Sequence, residues 1–364
     1  MRRYLARLAG AIGAVAVLAG MVVSGSVRAE DKAPVPAGFF RLHTAVKLAG
    51  NAPDWDYLSY DAARGRLFIA RRDAGLWVYD TRRQRLLRRM PMTHGAGASL
   101  LIPALGRGYV TNEDGSVTVF NLATLVPIRR VKFAEDADAA TYDPVSGRIA
   151  FVSADSRRVT FLDARSLAIV GHVNLEAKKA DASVADGAGA ILLNERDRNM
   201  VARIDAASAR ITAEWRTTGC TQPTGMAYDA ADHRAFIGCR GAKPVLAVLN
   251  TDSGAIVATL DLGRGNDGVV YDRVHHQIIT TNGVDSNIVV FHQDDADHYR
   301  MEQAITTRPS ARTIAYDAVG RRVFTVTAEG VVNPAQPVNA GPSAFYPNAY
   351  YDNSFTVLTY AINK

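Results

Sequence analysis

The residues with the clearest chemical potential are oxygen donors spread along the chain. The candidates are Asn112, Asp138, Asn194, Asp267 and Asn282. Carboxylate and amide oxygens are ligands that Ca²⁺ prefers in proteins. A divalent ion held by them would polarise a carbonyl group, and a nearby carboxylate would activate water for hydrolysis. The alternative is that Asn and Asp stand there because their side chains suit turns.

Other catalytic signals are sparse. His94 is the one histidine in a loop that leads into a first strand, and a lone surface histidine is more often solvated than catalytic. The sequence has no Gly-x-Ser-x-Gly nucleophile elbow. The glycine-rich stretch 263–268 opens no helix, so it is not a phosphate-binding loop. The motifs leave enzymatic activity undecided and favour a protein that is not an enzyme.

These candidates have to be positioned by a repeat whose members stand just over forty residues apart. The repeated positions are Arg66, Arg107, Arg148, Ile191, Arg234, Gln277 and Arg322. Six of them have an aspartate five residues upstream, namely Asp61, Asp143, Asp186, Asp229, Asp272 and Asp317. A period of this length built from short strands is typical of a propeller blade. The pattern predicts an all-β fold, a seven-bladed β-propeller of four-stranded antiparallel blades. Recurrence in nearly every blade indicates turn capping and contacts between blades rather than catalysis.

The two ends of the chain complement each other. The seventh unit has strand-like segments at 312–316, 322–327 and 355–360 but no fourth one. An extra strand-like segment, 40–48, precedes the first full unit. We expect it to complete the last blade, because ring closure hides sheet edges that would otherwise pair with other chains. Residues 39–364 are therefore expected to form one propeller domain.

The first residues have the features of an exported protein. Residues 1–29 combine a positively charged start, an apolar stretch and a small-x-small cleavage site, which predicts a cleaved signal peptide followed by a short linker, 30–38. A membrane anchor is the alternative, but the apolar stretch is short for a span. The expected location is the periplasm, with no membrane span after cleavage. The leader holds four of the 42 basic residues and none of the 36 acidic ones, so the remaining chain is nearly neutral and nucleic acid is an improbable partner.

The two cysteines, Cys220 and Cys239, fall in one predicted blade. A hairpin formed by residues 226–239 would bring Cys239 back to the level of Cys220. In an oxidising compartment such a pair favours a disulfide. Two buried free thiols or a metal pair are the alternatives, and the metal pair lacks the usual spacing and companion histidines.

Propeller topology brings two sets of loops to one face around a central funnel, the default place for a ligand. The loops that lead into the first strands supply Asp54, Trp55, Asp56, His94, Asp136, Asp138, Lys179, Asp181, Gln222, Asn266, Asp267, Arg308 and Arg312. The loops between the second and third strands supply Arg71, Asn112, Glu113, Asn194, Glu195, Arg240, Asn282 and Asp285. Our binding candidates are Trp55, Asp56, His94, Asn112, Asp138, Asn194, Asp267 and Arg312.

One loop departs from the repeat. Residues 328–353 stand where other blades use only a few residues, and they contain four prolines and a cluster of aromatic side chains that includes Tyr346, Tyr350 and Tyr351. Long loops in compact domains are usually lids, binding loops or disordered segments. Tyrosines favour contact surfaces, so we expect either binding of a ligand or partner or packing on the funnel rim.

Residues 108–112 read Gly-Tyr-Val-Thr-Asn, and with 55–58 (Trp-Asp-Tyr-Leu) and 220–225 (Cys-Thr-Gln-Pro-Thr-Gly) they give the chain a family resemblance. From about residue 40 to 364 it resembles the exported YncE-like proteins of the YVTN β-propeller repeat family. The resemblance implies a seven-bladed, mostly periplasmic protein. It implies no single reaction, because propellers host lyases, lactonases, cofactor enzymes and binding scaffolds.

Three functional hypotheses follow. The favoured one is a periplasmic binding scaffold for a small polar ligand or a partner protein at the funnel and the 328–353 loop. The alternative is a hydrolase similar to propeller lactonases, which hold Ca²⁺ or another divalent metal at the same funnel. The third is single-stranded nucleic-acid binding by a stripe formed by Arg71, Arg72, Arg240, Arg308 and Arg312 with Trp55.

Overall fold

A computed structural model describes residues 38–50, 54–153, 155–336 and 346–362. The predicted signal peptide, 1–29, and all of the linker except Gly38 lie outside the described residues. The same holds for residues 337–345 of the long loop. The fold below is therefore that of the described ranges.

The chain forms seven four-stranded antiparallel sheets, and the first strand of the chain belongs to the last sheet. That strand is β1 (Phe40–Lys47). The first three blades comprise β2 (Leu58–Asp61), β3 (Arg66–Ala70), β4 (Leu76–Asp80), β5 (Arg85–Arg89); β6 (Ala96–Ile102), β7 (Arg107–Asn112), β8 (Ser116–Asn121), β9 (Pro127–Lys132); and β10 (Ala139–Asp143), β11 (Arg148–Ser153), β12 (Arg158–Asp163), β13 (Ile169–Asn174).

The remaining blades follow in the same order. They comprise β14 (Ala180–Ala185), β15 (Ala190–Glu195), β16 (Met200–Asp205), β17 (Arg210–Arg216); β18 (Pro223–Asp229), β19 (Arg234–Cys239), β20 (Val245–Asn250), β21 (Ile256–Asp261); β22 (Asn266–Asp272), β23 (Gln277–Asn282), β24 (Asn287–Gln293), β25 (Tyr299–Thr306); and β26 (Ala315–Asp317), β27 (Arg322–Thr327), the short pair β28 (Gly330–Val331) and β29 (Ala349–Tyr350), and β30 (Thr356–Ile362). One 3₁₀ turn spans Pro103–Leu105. In the ranges above, no helix is long and apolar enough to cross a membrane.

The core lies between neighbouring blades. The second and third strands of each blade are apolar on both faces because a blade lies against each of them, as in β4, where every residue is buried. The outermost strands alternate between half-buried and exposed positions, as in β17. Contact between β2 and β26 joins the first blade to the last. The predicted all-β seven-bladed architecture is confirmed.

Ring closure by the N-terminal strand agrees with the prediction. Strand β1 pairs antiparallel with β30 and completes the sheet β1-β30-β27-β26. The innermost strand of this blade, β26, begins at Ala315 rather than at Arg312. Arg312 therefore lies in the loop that leads into β26, where its side chain is free to turn toward the centre of the ring.

The repeated arginines join neighbouring blades. Arg66 Nη1 donates hydrogen bonds to the carbonyls of Leu122 and Ala123 in the next blade (2.9 and 2.8 Å). Arg148 Nη1 does the same to Ala206 and Ala207 (2.9 and 2.6 Å). These contacts confirm that the repeat is structural.

The repeated aspartates cap the first turn in the six blades that have them. The Asp143 carboxylate, for example, accepts a hydrogen bond from the Ser146 backbone amide at 2.7 Å. One register differs from the sequence spacing, since Ala190 and not Ile191 pairs with Asp205 in the fourth blade. That is the position of Arg66 opposite Asp80 in the first blade.

The predicted disulfide joins Cys220 in the loop before β18 to Cys239 at the end of β19. Their Cα atoms are 5.5 Å apart and the bond spans 19 residues of chain. Both side chains are buried. The disulfide ties a loop on the funnel face to the second strand of its own blade.

Removing this disulfide is expected to lower the free energy of unfolding by about 3 kcal/mol, because a loop of this length is no longer closed in the unfolded chain. The test is urea denaturation of the Cys220→Ala/Cys239→Ala double variant beside the oxidised wild type. Reductant should lower the stability of the wild type and leave the double variant unchanged. Equal denaturation midpoints for the double variant and the oxidised wild type would contradict the expectation.

Candidate functional site

A cavity of about 970 Å³ opens at the centre of the face formed by the loops that lead into the first strands and the loops between second and third strands. Six blades contribute to its wall. The charged side chains of the wall are Asp54, Asp56, Asp138, Asp181 and Asp267, together with Arg72, Lys179, Arg196, Arg240, Arg264 and Arg312. A concave site with converging polar groups of both signs is suited to a polar ligand.

Five of these side chains share one position of the repeat. Asp56, Asp138, Asp181, Asp267 and Arg312 each stand five residues before the aspartate that follows in their own blade. Equivalent positions of equivalent blades face the same axis, so the repeat itself arranges these charges around the funnel. The arginines between them come mainly from the loops that follow the second strands.

Asp267 is the most heavily paired carboxylate of the wall. Arg240 Nη2 lies 2.8 Å from its Oδ1, and Arg312 Nε donates to its Oδ2 at 3.1 Å. Arg312 also donates to the carbonyl of Trp55. These contacts run through the fifth, sixth, seventh and first blades, and so cross the place where the ring closes.

A second group of ion pairs continues around the funnel. Arg72 pairs with Asp56 of its own blade and, at 2.9 Å, with Glu113 of the second blade. Across the cavity, Arg196 Nη1 lies 3.5 Å from Asp181 Oδ2. Charged pairs of this kind are stronger in a partly buried site than in water, since the surroundings screen them less.

Tyr57 crosses the channel from the first blade to the fourth. Its hydroxyl donates to Asp181 Oδ1 at 2.9 Å, and its ring packs against an apolar cluster of the third and fourth blades. Burial, together with the Asp181 carboxylate, raises the pKa of Tyr57 well above its ordinary value, so the hydroxyl stays protonated and remains a donor. Tyr57 lines the inner end of the cavity.

Two carboxyl groups of the wall have unusual proton affinity. Burial raises the pKa of Asp56 to about 7, although the Arg72 guanidinium acts in the opposite direction. Burial and the neighbouring Asp267 raise the pKa of Asp181 to about 6. Both groups can therefore exchange protons near neutral pH, which makes the charge of the cavity sensitive to pH and to a bound ligand.

The raised pKa of Asp56 predicts that its contribution to stability falls as pH rises. Between about pH 4 and pH 7 the folded protein holds a proton on Asp56 that the unfolded chain has lost, so ionisation opposes folding in that window. The total is at most about 4 kcal/mol. We expect the difference in melting temperature between Asp56→Asn and wild type to grow from pH 4 to pH 7 and then level off. Asp73→Asn, an exposed change on the same face, is the control, and a gap that does not vary with pH would contradict the expectation.

The described part of the long loop of the seventh blade lines one side of the cavity. Its ends pair as the short strands β28 and β29, and Tyr346 and Tyr350 line the wall. The Tyr350 ring packs edge-on against Trp55, 5.4 Å between centroids, and its hydroxyl lies 3.1 Å from that of Ser310. The loop thus packs on the funnel rim and also presents tyrosines to the cavity, which combines the two predicted roles. Tyr351 is more than half exposed (56%) and faces away from the cavity wall.

Six of the residues predicted to bind a ligand come together at the cavity. They are Asp56, Asp138, Asp267, Arg312, Tyr346 and Tyr350. Trp55 does not reach it, because its ring is fully buried beneath Arg312 and between Tyr350 and Phe355. His94 projects into solvent near Asp73 (3.7 Å) and lies outside the wall.

The two asparagines of the predicted site are used inside the fold. Asn112 is buried and its amide donates to Ser116 and to Thr118 Oγ1 (3.1 Å), within its own loop and third strand. Asn194 is buried and donates to the Thr224 carbonyl of the next blade at 2.9 Å. The structure therefore does not place Asn112 and Asn194 at the funnel, because both side-chain amides donate to backbone and hydroxyl groups inside the fold.

Other loop residues named from the sequence divide in the same way. Asp54, Lys179, Asp181, Gln222 and Arg240 line the cavity, whereas Arg71, Glu113, Asp136, Glu195, Asn266, Asn282, Asp285 and Arg308 do not. Asp136, for example, accepts the amides of Asp155 and Ser156 and so closes a turn.

Two of the five predicted metal ligands, Asp267 and Asn282, already have other partners. Asn282 donates to Asn287 at 2.8 Å and accepts from Asn266, and both oxygens of Asp267 face arginines. Guanidinium groups repel a cation and occupy the lone pairs that it would need. In the part of the chain that the structure describes, no three His, Cys, Asp or Glu side chains are placed to hold a metal ion.

Four of the five arginines suggested as a nucleic-acid stripe are buried or paired with carboxylates. Arg71 is 1% exposed and stacks on Trp77 and Phe355, 4.3 and 3.5 Å from the ring centroids. Arg72, Arg240 and Arg312 are paired with carboxylates. Trp55, the proposed stacking partner, is buried. These residues do not form an open basic surface.

Among the polar side chains of the wall, Tyr57, Arg196, Arg264 and Asn348 were missed as site candidates in the sequence. The spacing of the sequence does not identify Tyr57, because its contact with the fourth blade across the channel forms only when the ring is closed. Arg196 stands six residues after Ala190, as Arg72 and Arg240 stand six after Arg66 and Arg234. The corrected register of the fourth blade would therefore have identified it.

Comparison with known proteins supports the fold. No protein-family model matches the sequence, and no curated protein matches it. A chain in the crystal structure of the Mitotic Checkpoint Complex superposes with a TM-score of 0.68 at 14% identity, covering 85% of this chain and 96% of that one. The crystal structure of RRP9 WD40 repeats superposes with a TM-score of 0.72 at 9% identity, covering 88% and 100%. At such identities the likeness shows a WD40-like propeller and nothing about activity.

Proposed function

We propose that this chain is an exported binding propeller whose central funnel holds a small polar ligand. The observation that carries the proposal is the cavity of about 970 Å³, whose wall bears charged side chains of both signs from six blades. Tyr57 lies across its inner end, and the loop with Tyr346 and Tyr350 lines one side. Such a site favours ligands that make many charged hydrogen bonds.

The test is a thermal-shift screen of residues 30–364 against polar compounds grouped by class: free amino acids, short peptides, sugars, nucleotides, polyamines and organic acids. A bound compound stabilises the folded state by RT ln(1 + L/Kd), where L is its free concentration, so the stabilisation grows with the logarithm of that concentration once the site is filled. We expect one class to raise the melting temperature in this concentration-dependent way. A screen in which no class does so would contradict the proposal.

A partner protein is the other occupant that the scaffold hypothesis allows. The outer side of the long loop exposes Tyr351 and Val331, 56% and 42% of their surfaces. One superposed propeller comes from a complex, the Mitotic Checkpoint Complex, as its description says. The funnel is the better supported site, because its wall is built from repeated positions of the fold. The lactonase alternative would need a metal, and two of its predicted ligands, Asp267 and Asn282, already have other partners.

The same proposal includes export to the periplasm and membership of the YVTN family. Export is supported by the sequence of residues 1–29 and by the disulfide, since disulfides form in oxidising compartments. Periplasmic protein is expected to begin at Glu30 by mass spectrometry. Ala29→Arg should block processing and leave the leader attached. Protein that stays in the cytoplasm with Met1 or Arg2 at its start would contradict export.

A further inference from the structure

Charged side chains that have hydrogen-bonding atoms left over lie on two opposite walls of the cavity. In a ring of seven blades, the first blade faces the fourth and fifth across the channel. Asp54 and Asp56 of the first blade lie with Tyr346 and Tyr350 on one side. Lys179, Arg196 and Gln222 of the fourth and fifth blades lie on the other side. Asp267 is paired with two arginines, so both of its oxygens are already occupied.

The acidic wall can accept a positively charged group. One oxygen of Asp56 pairs with Arg72, and the other accepts no hydrogen bond from the residues that the structure describes. Only 13% of the Asp56 side chain is exposed, so an ammonium bound there would be well shielded from water. Tyrosine rings on the same side add attraction for a cation.

The basic wall can accept a negatively charged group. The Lys179 ammonium forms no ion pair with the described carboxylates, and its side chain is exposed to the cavity. Arg196 makes only long contacts, 3.5 Å to Asp181 and 3.5 Å to Gln222. Both side chains therefore have donors left for a ligand.

A second recess extends the basic wall. It has a volume of about 410 Å³ and shares Lys179, Arg196 and Gln222 with the main cavity. Asp197, Asn199 and Thr221 complete its lining, and the Asp197 carboxylate accepts the backbone amides of Lys178 and Lys179. The recess gives room for a side chain beside the group that Lys179 and Arg196 would bind.

We propose that the ligand is a short peptide with free ends, its ammonium on Asp56 and its carboxylate on Lys179 and Arg196. This proposal rests on the funnel being a ligand site. A sphere with the volume of the cavity is about 12 Å across, and three extended residues at about 3.5 Å each would span it. A single amino acid is too short to reach both walls.

The test is calorimetric titration of residues 30–364 at neutral pH with trialanine, N-acetyl-trialanine, trialanine amide and alanine. Trialanine is expected to bind. Each blocked end removes one charge-assisted contact and should weaken binding about ten- to hundredfold. Equal affinity for free and blocked peptides would overturn the proposal.

Two neighbouring lysines provide a matched pair of variants. Lys179→Ala should weaken trialanine binding about fivefold and leave binding of trialanine amide unchanged, because the amide lacks the charge that Lys179 contacts. Lys178 is also exposed but does not line the cavity, so Lys178→Ala should change neither titration. Identical effects of the two variants would overturn the placement of the carboxylate.

The outcome also separates this proposal from the one on which it rests. If trialanine fails to bind while sugars, nucleotides or another class raise the melting temperature, the peptide proposal is wrong and the funnel remains a ligand site. If no class binds at all, both proposals are wrong.

Discussion

A chain that begins after β1 is expected to lose its cooperative fold and aggregate. Strand β1 supplies the outer edge of the seventh blade through its pairing with β30. Phe40 at its start is 2% exposed and packs against Tyr316. The Gln303 side chain of the sixth blade accepts a hydrogen bond from the Phe40 amide (2.9 Å) and donates one to the Phe40 carbonyl (2.8 Å). Deletion would therefore uncover a paired edge strand and break a contact between blades.

The measurement is scanning calorimetry with size-exclusion chromatography on residues 49–364 and 38–364. The longer chain keeps β1 and should match residues 30–364. The shorter one should show no sharp transition and elute as aggregates, and a synthetic peptide of residues 38–48 should partly restore the monomer. A monomeric shorter chain with an unchanged transition would show that the ring does not depend on this strand.

The architecture could be predicted because the same local sequence pattern recurs in every blade. Each blade buries apolar second and third strands and ends them in turn residues, so the period survives even where one member changes, as at Ile191. The closing strand was predictable for a related reason. A blade with three strands and a spare strand at the other end of the chain have one simple solution.

The sequence predicts which part of each blade faces the funnel, but not which side chains reach the cavity. Asp56, Asp138 and Asp267 reach the cavity, but Asn112 and Asn194 lie near the ends of second strands and turn into the fold. The difference lies in side-chain hydrogen bonds, within the blade for Asn112 and to the next blade for Asn194, which the spacing of the sequence does not show.

The pairing of charges was likewise hidden from the sequence. Arg312 and Arg240 are 72 positions apart in the chain and meet on Asp267 only after the ring has formed. A list of acidic and amide oxygens suggested a metal, whereas the closed ring places guanidinium groups among them. Composition alone could not distinguish a calcium site from a network of ion pairs.

Filling the mouth of the funnel is expected to abolish ligand binding without unfolding the protein. Ala242 lies in the loop after β19, is exposed, and lines the cavity. Ala242→Trp places a large rigid ring in the space that the ligand would occupy, and since the position is exposed no packed core is disturbed. The expected loss of affinity is tenfold or more, on the order of 1.4 kcal/mol or greater.

The matched control is Ala230→Trp. Ala230 belongs to the same blade and is also exposed, but it lies in the turn between β18 and β19, on the opposite face of the ring. It adds the same side chain to the surface without approaching the funnel. Comparison of the two variants separates blocking of the cavity from a general effect of an exposed tryptophan.

The most direct measurement is the thermal-shift screen with the polar compound classes, run in parallel on wild type, Ala242→Trp and Ala230→Trp. If the funnel is the binding site, the class that stabilises wild type will stabilise Ala230→Trp equally and will leave the melting temperature of Ala242→Trp unchanged. If that class stabilises Ala242→Trp as much as wild type, the ligand binds elsewhere and the funnel is not its site.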